Sequence, residues 1–164
     1  MTSSFRIQLV GILTFFAVIF SSAQVSKYKC MLQMTSYTGE GAYVVVSLID
    51  PKGTYEKTLY VMGPDKKWYD TLKEWHKAQT KKPTKLNAIT GASVAGGDRS
   101  ITTFSIEDKY LNKGYKIRFE SAVEDQKYHV QDLEIPLTTD GITQKTDGKG
   151  YIKYAKLIKF NLSK

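Results

Sequence analysis

From Tyr28 onward the chain alternates apolar and polar positions for most of its length. Tyr28, Cys30, Leu32 and Met34 alternate with Lys29, Met31, Gln33 and Thr35, the two-residue period of a half-buried strand, and that parity turns Cys30 toward the core. Thr38-Gly39-Glu40-Gly41 reads as a turn. Ala42 to Ile49 is a largely apolar run suited to a central strand. Asp50-Pro51-Lys52-Gly53 closes it as a hairpin, with φ preset at Pro and a permissive Gly at the end. Thr54 to Met62 returns as a third strand, so the first three strands are expected to run as a meander.

The period changes after Gly63-Pro64-Asp65. Asp65 is a suitable N-cap, and Trp68, Leu72 and Trp75 fall at i, i+4 and i+7, which predicts a helix with all three on its buried face. Thr80 to Pro83 ends it. Beyond a small-residue loop at 84–98, strands are expected at Ile101 to Ile106, Tyr115 to Val123, Tyr128 to Ile135 and Tyr151 to Phe160. Asn112-Lys113-Gly114 and Asp147-Gly148-Lys149-Gly150 supply turns between them. Seven short strands and one helical insertion predict a mainly β protein, an antiparallel β-sandwich with one inserted amphipathic α-helix.

Residues 1–23 stand apart from this pattern. Arg6 is their only charge, Leu9 to Phe20 is almost wholly apolar, and Ser21-Ser22-Ala23 fits a signal-peptidase site. The apolar run is shorter than the roughly 20 residues a membrane-spanning helix needs. A cleaved signal peptide is therefore expected at 1–23, with a single exported domain at 24–164. That mature chain has 23 basic and 16 acidic residues, a net charge of +7. Nearly all of the positive charge is lysine; only Arg99 and Arg118 remain as arginines. Lysine lacks the planar fork suited to reading bases, and no helix concentrates positive charge with interleaved aromatics, so nucleic-acid binding is not expected. One cysteine excludes an intrachain disulfide framework.

Conventional catalytic groups are sparse. His76 and His129 are the two histidines, and no G-x-S-x-G or similar signature accompanies them. Glu120, Glu124 and His129 carry metal-compatible donors, but strand parity places His129 off the face shared by the two glutamates. A solvated acidic edge is the expectation there.

The most informative segment is Asn87-Ala88-Ile89-Thr90-Gly91-Ala92-Ser93. It resembles the covalent flavin-attachment motif of exported redox proteins: an acidic residue, two variable residues, Ser or Thr, Gly, Ala, and a final Thr or Ser. In that family the last hydroxyl is esterified by FMN, donated from FAD by a magnesium-dependent FMN transferase. The matching acceptor is Ser93, with Thr90, Gly91, Ala92 and Asn87 as the surrounding motif residues. Asn87 departs from the motif's usual Asp, keeping its size and an acceptor oxygen while losing the charge. The spacing has its own logic, since an acceptor that must enter another enzyme's cleft needs little bulk beside it, and Gly91 and Ala92 provide that.

A wider resemblance accompanies the motif. Tyr43-Val44-Val45-Val46, Lys57-Thr58-Leu59, the segment from Trp68 to Trp75, Ala88-Ile89-Thr90-Gly91-Ala92 and Phe119-Glu120-Ser121-Ala122-Val123-Glu124 follow one another as in domain of unknown function 2271, a family of predicted periplasmic proteins. That family's second half resembles the Ig-like domain of flagellar hook-capping proteins, and Gly114-Tyr115 sits where that domain has Gly and Tyr. The resemblance implies an Ig-like sandwich, but not hook assembly, because the Asp- and Gly-rich turn preceding that pair is missing. It further implies a periplasmic electron-transfer protein carrying covalent FMN. The implied partners are an FMN transferase and a membrane reductase with a peptidase-propeptide-like domain. Trp68 and Trp75 are candidate stacking surfaces, and Lys85 or Arg99 candidate phosphate neighbours. The alternative is a non-enzymatic Ig-like envelope interaction module without a cofactor.

Overall fold

A computed structural model describes residues 24–160; the expected signal peptide at 1–23 lies outside the described residues. Nine strands follow in order: β1 (Val25–Met34), β2 (Tyr43–Ile49), β3 (Tyr55–Met62), β4 (Thr90–Gly91), β5 (Arg99–Glu107), β6 (Lys116–Ala122), β7 (Tyr128–Pro136), β8 (Lys145–Asp147) and β9 (Ile152–Phe160). One helix, α1 (Lys73–Lys81), is inserted between β3 and β4. The strands form a four-stranded sheet ordered β5-β1-β9-β8 and a five-stranded sheet ordered β4-β3-β2-β6-β7. All pairings are antiparallel except β3 with β4.

The alternation of β1 sets the packing. Ser26, Tyr28, Cys30, Leu32 and Met34 are buried, and the intervening residues face out. Cys30, Leu32, Phe104, Ala155 and Leu157 of the smaller sheet meet Val44, Val46, Phe119, Leu133 and Ile135 of the larger one in a shared core. The structure is thus a mainly β sandwich. Burial pushes the Cys30 thiol up to about 12, so it is an inert packing residue.

The expected meander is corrected. β2 and β3 form the hairpin, closed by the Asp50 carboxylate accepting from the amides of Lys52 and Thr54 at 2.8 Å each. β1, however, pairs with β5 and β9 in the other sheet. The segment between β1 and β2 crosses the sandwich, which lets the apolar face of β1 pack against β2 instead of beside it.

The single helical face is corrected as well. A 3-10 helix at Lys66–Thr71 precedes α1, and Leu72 (φ −88°, ψ 60°) breaks between them. Asp65 caps the 3-10 segment, accepting from the Lys67 amide at 3.1 Å. The break at Leu72 shifts the phase between the 3-10 turn and α1, so Tyr69, Leu72 and Trp75 are the buried set and Trp68 is left half-exposed. Those three side chains pack on Val45, Val61 and Ala122, on the outer face of the five-stranded sheet. Trp75 Nε1 donates to Thr58 Oγ1 at 2.8 Å, and Gln79 Nε2 donates to the Thr84 carbonyl at 2.7 Å, tying the helix to β3 and to the following loop.

Glu120 lies beneath this helix, 3% exposed, and accepts a hydrogen bond from the Tyr128 hydroxyl. The same hydroxyl accepts from the Glu74 amide at 3.1 Å, in the first turn of α1. The expected solvated acidic edge is therefore overturned at this residue. Burial raises the Glu120 carboxyl to about 7, against the opposing pull of Tyr128, Arg118 and the Trp75 amide. His129 stands apart, its ring edge-on to Tyr151 at 5.0 Å.

Asp132 locks the two sheets at one end. It is fully buried and accepts from Ser121 Oγ at 2.5 Å, and from the amides of Lys149 (3.0 Å), Gly150 (2.6 Å) and Ile152 (3.0 Å). The turn before β9 closes on this carboxylate so tightly that a Cβ on Gly150 would lie 2.5 Å from the His129 ring.

Two stability outcomes follow from these buried carboxyls. Asp132→Ala strands one hydroxyl and three amide donors, and denaturant titration is expected to show a loss of about 3–5 kcal/mol; a loss below about 1 kcal/mol contradicts the clamp. Glu120 has the opposite sign. Its folded pKa lies above the unfolded value near 4.5, so the unfolded chain releases this proton first, and stability falls as pH rises from about 4.5 to about 7. Glu120→Gln should flatten that slope and raise stability above neutral pH, by up to roughly 3 kcal/mol. An unchanged slope in melts taken from acidic to alkaline pH counts against it.

Candidate functional site

The segment carrying the motif is not a free loop. Leu86 to Ile89 makes a tight turn, with the Ile89 amide donating to the Leu86 carbonyl at 2.9 Å, and Thr90–Gly91 then adds β4 to the edge of β3. The Val61 amide donates to the Ile89 carbonyl at 2.8 Å, and the Gly63 amide to the Gly91 carbonyl at 2.7 Å. Three residues after Gly91, Val94 exchanges backbone hydrogen bonds of 2.8 and 3.0 Å with Ala42, just before β2. The Tyr37 hydroxyl secures this crossing, donating to the Val94 carbonyl at 2.5 Å and accepting from the Ala42 amide at 2.7 Å. Burial raises the Tyr37 pKa, keeping it the neutral donor this bridge requires.

Ala92 and Ser93 therefore span a gap between two anchored points. Ala92 is exposed and Ser93 half-buried. The close approach depends on small residues: a Cβ on Gly41 would lie 2.6 Å from Ser93 Oγ, and one on Gly91 would lie 2.5 Å from the Tyr60 hydroxyl. Asn87 is exposed in the preceding turn, and Thr90 is half-buried in β4.

Ser93 forms a wall shared by two clefts. The first, about 160 Å³, is lined by Glu40, Gly41, Tyr43, Trp68, Thr71, Ala122 and Glu124 besides Ser93. The second, about 270 Å³, holds Tyr60, Met62, Asp98, Arg99 and Ile101 together with Gly91, Ala92 and Ser93. Trp68 is held at the first cleft by the 3-10 helix, where Thr71 Oγ1 donates to the Trp68 carbonyl at 2.6 Å. Tyr43, the outward residue at the start of β2, faces Tyr69 edge-on at 6.3 Å.

The sequence-based residues separate accordingly. Ser93, Ala92 and Gly91 come together, and of the two tryptophans only Trp68 joins them. Trp75 is 1% exposed, with its indole N–H already engaged by Thr58, so it offers no stacking surface. Arg99 lines the second cleft, where its Nε donates to Gln33 Oε1 at 2.6 Å. Lys85 lines a different groove, with Ala88 and Ile89, and does not share a cleft with Ser93. Tyr43, Glu40 and Glu124 join Ser93 from distant parts of the chain, and nothing local to them in the sequence tied them to it. Glu120, Glu124 and His129 do not converge; among the described residues no three His, Cys, Asp or Glu side chains are grouped as metal ligands.

The arrangement offers a primary hydroxyl beside an aromatic-walled cleft that is otherwise acidic, with an arginine on the opposite side. No helix among the described residues is long and apolar enough to cross a membrane. No curated protein and no solved structure matches the chain significantly. The order of motifs from β2 to β6 is instead matched as a whole by one family model, over residues 25–154, and the chain belongs to that family, the predicted periplasmic proteins of domain of unknown function 2271.

Proposed function

We propose that the protein is an exported electron carrier in which FMN is esterified to Ser93. The observation that carries this reading is the position of Ser93 between an aromatic-walled cleft and one containing Arg99, within a segment that follows the attachment motif. A periplasmic location, as described for the family, makes a tether useful, because a dissociated cofactor is not readily replaced outside the cytoplasm.

Attachment requires Ser93 Oγ to attack the FMN phosphorus of FAD. A new O–P bond forms, the pyrophosphate bond breaks, AMP leaves, and the serine proton passes to a base of the FMN transferase. The role of this chain is to present the hydroxyl. Gly41 leaves room for Oγ, Ala92 keeps the approach open, and the Val94–Ala42 bridge holds the segment against the sandwich. Once attached, the phosphodiester charge is better accommodated in the second cleft, where Arg99 offsets Asp98, than beside Glu40 and Glu124, which no cation among the described residues lining the first cleft offsets. Trp68 and Tyr43 then offer aromatic faces to the flavin ring. Bound FMN supplies the redox chemistry, and the protein supplies orientation and electrostatics. A membrane reductase with a peptidase-propeptide-like domain suits the donor side.

Incubation with FMN transferase, FAD and Mg²⁺ is expected to place an FMN-sized mass on the Ser93 peptide, with one AMP released per chain. Ser93→Ala should abolish it. An unmodified Ser93 peptide favours the cofactor-free interaction module. Gly41→Ala displaces the acceptor oxygen and should slow transfer by on the order of 100-fold; an unchanged rate contradicts the presentation of Oγ described above. Trp68→Ala should leave transfer intact and brighten the attached flavin's emission, because a stacked indole quenches it. Equal emission from both proteins removes Trp68 from the site.

A further inference from the structure

The two sheets are finished differently on their outer faces. The five-stranded sheet carries α1, whereas the four-stranded sheet carries no element over it among the described residues. Solvent-facing β positions are ordinarily polar, and single exposed apolar residues scattered over a surface need no explanation. Here they are not scattered. Among the described residues the exposed large apolar side chains are Val25 (52%), Ile101 (66%) and Ile158 (50%), and strand parity puts all three on this one face. Met31 stands directly opposite Ile101, with Ile158 on the strand to its other side, so the apolar positions form a band across β5, β1 and β9.

Lysines are set into the same band. Lys29 is opposite Ile158, Lys156 is opposite Met31, and Lys27 is opposite Phe160. Among the described residues none of these three has an acidic group within ion-pair distance. The nearby carboxylates are occupied: Glu107 by Lys57 and Lys109, Asp147 by Lys145.

We infer that this face is a docking surface for an anionic phospholipid bilayer. An open sheet face with dispersed point charges and aliphatic side chains between them suits a surface of headgroups, since neither pocket nor directional fork is needed. A second copy of the chain fits poorly, because a two-fold contact would bring the two sets of Lys27, Lys29 and Lys156 onto one like-charged seam. The inference is independent of any cofactor at Ser93. Docking in this pose points α1 away from the lipid.

Vesicle flotation tests it with the mature protein. Mixed phosphatidylglycerol and phosphatidylcholine vesicles should carry the protein at low salt and release it at high salt, while phosphatidylcholine vesicles should leave it behind. Each outward lysine removed is expected to weaken partitioning about fivefold, so Lys29→Ala with Lys156→Ala should weaken it roughly 25-fold. Lys66→Ala with Lys77→Ala, a charge-matched change in the helical layer, should have little effect. Ile101→Ser should also weaken binding, and at equal charge. All these positions are exposed, and thermal melts check that each variant remains folded. No flotation on the anionic vesicles, equal loss in both lysine pairs, or retention by polyglutamate without flotation overturns the inference, the last outcome assigning the face to an acidic polypeptide.

Discussion

Burial of β2 on both sides is the constraint from which the rest of the architecture follows. Every residue from Val44 to Ile49 is buried, which no two-layer arrangement with a solvated outer face permits. The inner side is covered by the four-stranded sheet. The outer side, centred on Val45, is covered by Tyr69, Leu72 and Trp75, and an aromatic side chain of this kind removes about 150–250 Å² from water. The chain leaving β3 must therefore fold back over its own sheet, and the return from α1 must come to the exposed edge of β3. Those two requirements bring the 3-10 helix, with Trp68, and the β4 segment, with Ser93, to the same end of the sandwich.

The covering layer also carries a penalty. Seating α1 buries Glu120, whose carboxyl is held by Tyr128 and raised by desolvation. Asp132 is a buried carboxylate of another kind, fully supplied with donors from Ser121 and the turn before β9. One acid is tolerated beneath the helix; the other joins the sheets. The uncovered side of the smaller sheet has the opposite character, with lysines and aliphatic residues facing outward, so the three layers present chemically distinct surfaces.

Much of this was legible in the sequence because strand burial leaves a two-residue period. The seven longer strands lie where alternation and turn residues place them, and Cys30 faces inward as its parity requires. β4 and β8 escaped because two or three residues are too short to show a period. The helical region misled for a specific reason: Trp68, Leu72 and Trp75 satisfy the spacing of one continuous α-helix, but the chain breaks at Leu72 between a 3-10 turn and α1, and Tyr69, Leu72 and Trp75 are the buried set. Pairing partners were also hidden, since nothing local to β1 shows that it belongs with β5 and β9. At the candidate site the motif around Ser93 was readable, whereas Tyr43, Glu40 and Glu124 reach it only through tertiary folding.

The central claim is that this geometry presents Ser93 for a permanent cofactor rather than a dissociable one. The most direct measurement is the visible absorption of the mature protein after it has been produced with a competent FMN transferase, unfolded and precipitated. The account predicts a yellow pellet with a flavin spectrum from the natural chain. A colourless pellet, or colour that partitions entirely into the supernatant, contradicts it.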